Sequence, residues 1–204
     1  APILVDSPSQ KARLQALRHF AGSPVIRRLI YNSIGEDFTE DELGCIRECG
    51  VRSAIILAFS TRAIKPADRL SLLTDKLLPA AGRAGIEQPL IDPGVLDIPS
   101  ISWTAQAIEL IKEELGYPAG CAPSNALLQW EKMRGQGESA FQAAAAAVFT
   151  ATRLMGADFL LYGPMRFAPW AYPACAATDA LLAYGGRLRG VRPASREHPL
   201  YKIF

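Results

Sequence analysis

Histidine and cysteine are scarce in this chain: 204 residues hold two His, at 19 and 198, and four Cys, at 45, 49, 121 and 175. Cys45 and Cys49 share a face of a helical pattern, but two histidines are too few to complete a set of zinc ligands around them. Neither histidine has a Ser or Cys partner in a pattern suited to nucleophilic catalysis. A chain of this length buries a core that needs no disulfide staples, so the cysteines read as reduced thiols of a cytoplasmic protein. Charge of one sign is equally thin. Lys+Arg number 22 against 20 Asp+Glu, a formal +2, which leaves no basic stripe for nucleic acid or an anionic membrane. Long apolar runs are missing too, because Asp158, Gly163, Pro164, Arg166, Pro169 and Asp179 interrupt the most apolar region. None reaches the roughly 18 residues of a membrane span. The start, Ala1-Pro-Ile-Leu-Val-Asp6, has neither an initiator Met nor the charged and small-residue signature of a signal peptide, and it reads as the inside of a longer protein.

What is present is a repeat. An amphipathic helix closes on a glycine, a few residues follow, and a short apolar run ends in a polar or small residue. The glycines are Gly22, Gly50, Gly85, Gly116, Gly156 and Gly190, separated by intervals that run from 28 residues (22 to 50) to 40 (116 to 156). Strands are expected at Ile3–Asp6, Arg28–Asn32, Ser53–Leu57, Pro89–Asp92, Ala119–Ala122 and Ala157–Tyr162. Helices are expected at Ser9–Ala21, Thr39–Cys49 with a Thr39-x-x-Glu42 capping box, Pro66–Ala84, Ser100–Leu115, Glu138–Met155 and Ala171–Leu188. Runs this short and this continuously apolar suit strands covered on both faces, and the unit length suits a βαβ crossover, so the sheet should be parallel.

A doubly wound sheet and a (βα)8 barrel both fit the repeat. The strand-end residues favour the barrel, since Asp6, Asn32, Asp92, Asn125 just beyond the fifth strand, and Tyr162 all sit where a barrel assembles its site. No Gly-rich phosphate loop marks a single switch point. A complete barrel takes about 250 residues, and only six βα units are found, so two leading units have no counterpart in the sequence.

The segments Ile3-Leu-Val-Asp6-Ser7-Pro8, Ile30-Tyr-Asn32-Ser33, Leu90-Ile-Asp92-Pro93 and Gly120-Cys-Ala-Pro-Ser-Asn125 resemble the pterin-binding (dihydropteroate synthase-like) barrel methyltransferases. Leu115 to Asn125, Gly156-Ala-Asp-Phe-Leu-Leu-Tyr-Gly-Pro164 and the tail Glu197-His-Pro-Leu-Tyr-Lys-Ile-Phe204 narrow the likeness. They resemble the MtrH-type component of tetrahydromethanopterin S-methyltransferase and the bacterial methylcorrinoid:tetrahydrofolate methyltransferases. The resemblance runs in order along the whole chain and begins at the family's third strand. It implies a single pterin-binding (βα)8 barrel domain over residues 1–204, of which this chain supplies the last six units.

The same resemblance implies the chemistry. Asp6, Asn32 and Asp92 fall on the family's pterin ligands, with Asp92 as bidentate partner of the 2-amino-4-oxo-pyrimidine edge, Asn32 as the complementary amide and Asp6 completing the ring's polar contacts. Asn125 matches the residue that reaches nitrogen 5 and is the expected catalytic group, while Tyr162 is a candidate cofactor contact. The implied reaction moves a methyl group between methyl-cobalt and nitrogen 5 of tetrahydrofolate or tetrahydromethanopterin, with no protein-bound metal. Implied partners are a corrinoid carrier protein and a second copy of the chain, with room for peripheral association with a membrane complex.

Other readings of the same residues stand beside these. Strand-end Asp and Asn often cap helices or turns, and Asp97 in Leu96-Asp-Ile-Pro99 reads as the start of the next helix. Arg52, Arg62 and Arg69 read as solvated charges. The Ala143 to Ala147 run reads as a closely packed helix, and Trp130, Phe141 and Phe149 as core, with an interface as the alternative. A dihydropteroate synthase-like enzyme would want a late Arg-x-His site, which Arg196-Glu-His198 offers only in the tail. A non-catalytic pterin-binding subunit is the remaining alternative.

Overall fold

The strands form where aliphatic side chains fall on both faces of a short run. The computed structural model describes residues 1–203; Phe204, the last residue of the tail motif, lies outside them. Its residues group into two compact units, one of residues 1–94 with 106–120 and one of 95–105 with 121–204. In the first, β1 (Ile3–Asp6), β2 (Leu29–Ile34), β3 (Ser53–Leu57) and β4 (Gln88–Asp92) form one sheet in that order, every neighbouring pair parallel. Ala54, Ile55 and Ile56 are all buried, so β3 is covered on both faces. That is what its unbroken apolar run requires.

The crossovers are helical: α1 (Gln10–Phe20), α2 (Glu40–Cys49), then α3 (Pro66–Leu72) and α4 (Leu78–Arg83) between β3 and β4. Ser9 caps α1, its Oγ accepting from Ala12 N at 3.4 Å. The capping box at Thr39 is half formed. Thr39 Oγ1 accepts from Glu42 N at 3.1 Å, but the Glu42 carboxylate turns into the core. There it accepts from Gln10 Nε2 at 2.7 Å, from Arg13 Nη2 at 3.2 Å and from the Tyr31 hydroxyl. Arg13 Nε in turn donates to Tyr31 Oη at 2.9 Å. Burial and the neighbouring carboxylate push the Tyr31 phenol well above its usual range, so it remains a donor. This buried network ties α1 and α2 to the helix-covered face of β2.

The single helix expected over 66–84 is interrupted. Between α3 and α4, residues Leu73–Leu77 open into a wider turn in which Leu78 N reaches back five residues to Leu73 O. Pro79 explains it, since it has no amide to bond the carbonyl of Asp75 and its ring crowds that carbonyl.

The second unit holds α6 (Pro123–Gln129), α7 (Glu131–Arg134), α8 (Glu138–Leu154), β6 (Phe159–Leu160) and α9 (Ala168–Gly186); β5 (Gly120–Cys121) pairs with β6, and α5 is Ile101–Leu115. Asp97 starts α5 as expected, its Oδ1 accepting from Ser100 N at 2.8 Å. Phe141, Ala145, Phe149, Phe167 and Ala171 make the core of this unit with Leu127, and Trp130 packs against it. Phe149 meets Trp170 edge-on at 5.3 Å. The three aromatics considered for an interface are therefore core residues or packed on the core. The four cysteines are free thiols, and Cys45 Sγ lies 4.0 Å from Cys49 Sγ on the shared face of α2. No helix among the described residues is long and apolar enough to cross a membrane. The architecture is mixed α/β with a parallel sheet and alternating βα units.

Candidate functional site

A parallel sheet presents the C-terminal ends of its strands along one edge, and the side chains there face whatever approaches it. Asp6 is the register partner of Asn32, and Asp92 is the partner of Leu57 at the end of β3. Three of the expected ligands thus share one edge of the first unit's sheet. With neighbouring strands about 4.8 Å apart, Asp6 and Asn32 are adjacent and Asp92 lies two strands from Asn32, roughly 10 Å away. Asp6 is exposed, Asn32 half-buried and Asp92 buried. The register slips by one residue between Asn32 and Ile34, a bulge of the kind that re-aims side chains beside binding sites. The Asn32–Ser33 peptide is cis.

Asp92 is the most constrained of the three. It is 5% exposed, and its Oδ1 accepts from Gly94 N at 2.7 Å. Burial pushes its carboxyl up to about 6, against the opposing pull of the Gly94 amide and the Arg69 charge. The hydrogen bond alone is an ordinary turn feature, in keeping with the capping reading. A turn needs no buried charge, however, and a carboxylate held in a desolvated place beside a cation is a mark of function.

Arg69 corrects the sequence reading. Instead of a solvated charge it is fully buried, with 0% exposure. Its Nη1 donates to Gly94 O at 3.2 Å, and its guanidinium sits 5.5 Å from the centre of the Phe59 ring. The signal was in the helix pattern. Arg69 stands four residues before Leu73 and eight before Leu77, both fully buried, so it occupies the apolar stripe of its helix. Gly94 has φ +78°, and a Cβ there would come within 2.6 Å of Phe59 Cβ. Only glycine lets this turn pass so close to the ring. By contrast Arg52 is solvated, paired at the surface with Glu87.

Asn125 and Tyr162 belong to the second unit. Asn125 is exposed in the first turn of α6. The neighbouring Ser124 is buried, and its Oγ donates to Leu161 O at 3.0 Å. A Cβ on Gly163, at φ +76°, would meet Ser124 Oγ at 3.1 Å. The start of α6 is therefore seated on the segment that follows β6. Tyr162 meets Tyr172 edge-on at 5.5 Å and borders a cavity of about 220 Å³ that is also lined by Cys175, Arg153 and Asp179. Arg153 Nε donates to Asp179 Oδ1 at 2.7 Å there, and burial raises the Cys175 thiol, which makes it a poor nucleophile. His198 is spent on structure, its Nδ1 accepting from Leu200 N at 3.2 Å in the tail.

Comparison with known proteins gives this arrangement its context. The chain is 32% identical to the H component of tetrahydromethanopterin S-methyltransferase from Methanopyrus kandleri over 222 aligned positions, covering 98% of the chain and 68% of the relative. It is 30% identical to the protein of the same name in Methanococcus vannielii, covering 99% and 69%. It is 29% identical to the H component of the putative methyltransferase mtx of Methanosarcina acetivorans, covering 98% and 68%. The family model described as "Tetrahydromethanopterin S-methyltransferase MtrH subunit" matches residues 1–194. By that match the chain belongs to the MtrH family of methyltransferase subunits.

Proposed function

We propose that this chain transfers a methyl group between a methylated corrinoid and nitrogen 5 of a tetrahydropterin, as a pterin-binding barrel methyltransferase. The observation that carries the reading is Asp92, a buried carboxylate whose pKa of about 6 leaves it ionised at neutral pH, on the same sheet edge as Asn32 and Asp6. A reduced pterin offers adjacent N–H donors and a carbonyl acceptor on its pyrimidine ring. Asp92 accepts from the donors, Asn32 supplies both a donor and an acceptor, and Asp6 completes the polar contacts. Asn125 hydrogen-bonds nitrogen 5 as charge develops there, and Tyr162 contributes a cofactor contact. An amide suits that role because it serves nitrogen 5 through the whole transfer without carrying a full charge.

The corrinoid supplies an activated methyl group and keeps the electron pair of the broken methyl–cobalt bond as cobalt(I). Nitrogen 5 forms the new bond with its lone pair, so no residue of the chain is methylated. Most of the acceleration comes from holding the two reactants in line. The corrinoid arrives on a separate carrier protein, the chain pairs with a second copy, and it works in the cytoplasm, free to associate peripherally with a membrane complex.

Incubation with methylcobalamin and either tetrahydromethanopterin or tetrahydrofolate tests this. Appearance of the cobalt(I) absorption with one acceptor supports the transfer and identifies the pterin. Its absence with both, in a protein that is folded by circular dichroism, sinks the reading.

A further inference from the structure

We infer that Arg69 is the positioning residue of this site, fixing the Asp92–Gly94 turn from beneath the sheet edge and holding the acid in its accepting form. The inference rests on the assignment of Asp92 to the pterin. Its geometry is a relay. Arg69 Nη1 donates to Gly94 O at 3.2 Å, and Gly94 N donates to Asp92 Oδ1 at 2.7 Å, so one residue's carbonyl is clamped by the cation while its amide holds the carboxylate. Phe59 closes the other side, within van der Waals limits that exclude any side chain at Gly94, and its ring faces the guanidinium at 5.5 Å. The turn therefore cannot relax toward Phe59 and is held at both its polar groups. On the strand itself, Ala58 N donates to Asp92 O at 2.8 Å, which fixes the main chain at the same point.

Charge acts through the same arrangement. A buried carboxylate is driven toward its neutral form, which accepts poorly from two N–H donors at once, and an adjacent cation opposes that drive. Arg69 supplies this opposition from α3, and the Gly94 amide supplies it from the turn. The other elements against Asp92 bring no charged side chain: β3 reads Ser53-Ala-Ile-Ile-Leu57, Phe59 and Ser60 follow it, and the segment bridged to Ile91 is Pro118-Ala-Gly120. Arg69 touches neither the methyl group nor the sheet edge, so it works through Asp92.

The test uses the full chain, with tetrahydrofolate as the probe of the pyrimidine edge that reduced pterins share. Binding is measured by calorimetry from pH 5 to 8.5, and the Asp92 carboxyl is followed by carbon-13 NMR in the ligand-free protein. Arg69→Met should move both the acid limb of binding and the Asp92 titration up by about one pH unit or more. Arg69→Lys, which keeps the charge but loses the planar fork, should leave the limb in place and weaken binding several-fold at every pH. An Asp92 titration unmoved in folded Arg69→Met overturns the inference. If Arg69→Met does not fold, Arg69→Lys decides: affinity equal to that of the unaltered chain overturns it. The underlying site assignment fails separately, if Asp92→Asn binds tetrahydrofolate as well as the unaltered chain does at pH 7.5 while the NMR shift in Arg69→Met is still seen.

Discussion

Asp92 costs the free protein stability at the pH where it works, because burial lifts its carboxyl to about 6 from a value near 4 in an unfolded chain. The folded state therefore binds the proton more tightly than the unfolded one. The stability this brings is fully present below about pH 4 and is lost as pH rises through about 6. Asp92→Asn removes the charge and keeps an oxygen for the Gly94 amide, so it should behave like the protonated acid at all pH. At pH 8 the variant should melt higher than the unaltered protein, by on the order of 2 to 3 kcal/mol, and at pH 4 the two should coincide. The same substitution should weaken pterin binding on the order of a hundredfold at pH 8, since an amide cannot accept two hydrogen bonds with a full charge. Thermal melts at the two pH values and calorimetric titration with tetrahydrofolate check both halves. A variant less stable at pH 8 would mean that Asp92 belongs to the scaffold. Asn125→Ala should divide differently, with methyl transfer slowed far more than pterin affinity falls, which single-turnover kinetics would separate from equilibrium binding.

At the scale of elements, much of the fold could be read directly. β1 and β3 occupy the residues their apolar runs mark out, and α1, α2, α5 and α8 differ from expectation by a residue or two at their ends, where helix boundaries are always soft. The glycines chosen as helix stops, including Gly50, Gly116 and Gly156, have positive φ. Strand ends were legible because position alone sets them. Arg69 and the fate of Glu42 were not, because long-range packing decides them. Glu42 stands where a capping box would use its side chain, yet a tertiary network claims it. Glu42→Ala should therefore act as the loss of a buried charge and not of a cap. With side-chain exposures of 14% for Arg13 and 2% for Glu42, removing one partner leaves the other buried and uncompensated, at a cost of about 3 to 5 kcal/mol. Thr39→Ala, which loses only the cap, should cost about 1 kcal/mol. Urea unfolding of the two variants distinguishes the roles, and equal losses would contradict this division. Gly163→Ala is a third case. The left-handed φ of Gly163 and the 3.1 Å approach of a Cβ to Ser124 Oγ predict a loss of about 1 to 2 kcal/mol. Because Ser124 precedes Asn125, the shift of α6 should also lower the rate of methyl transfer in whatever fraction stays folded.

Across the molecule, the apolar surface is concentrated on one helix. Pro173, Ala177, Leu181, Tyr184 and Leu188 fall on one side of α9 and the turn that continues it, with no charged residue among them. Leu181 is 68% exposed, Tyr184 65% and Leu188 95%. Leu154 and Met155, at the end of α8, are exposed as well. Leu154 and Leu181 border a groove of about 380 Å³ with Leu182 and Gly186. The sequence could not reveal which side of α9 stays open, because the helix is apolar nearly all round and Asp179 is its single charged residue; an even distribution has no periodic stripe to read. Contiguous exposed patches of this kind associate, with a partner or with themselves. The paired substitution Leu181→Glu and Leu188→Glu isolates the effect, since side chains this exposed contribute little to the fold of the single chain. Its melting temperature should match that of the unaltered protein to within the equivalent of about 0.5 kcal/mol, and concentration-dependent association in sedimentation velocity should weaken. A melting temperature that falls with protein concentration held low would show instead that the stripe is covered within one chain in solution. Unchanged association would move the contact surface away from α9.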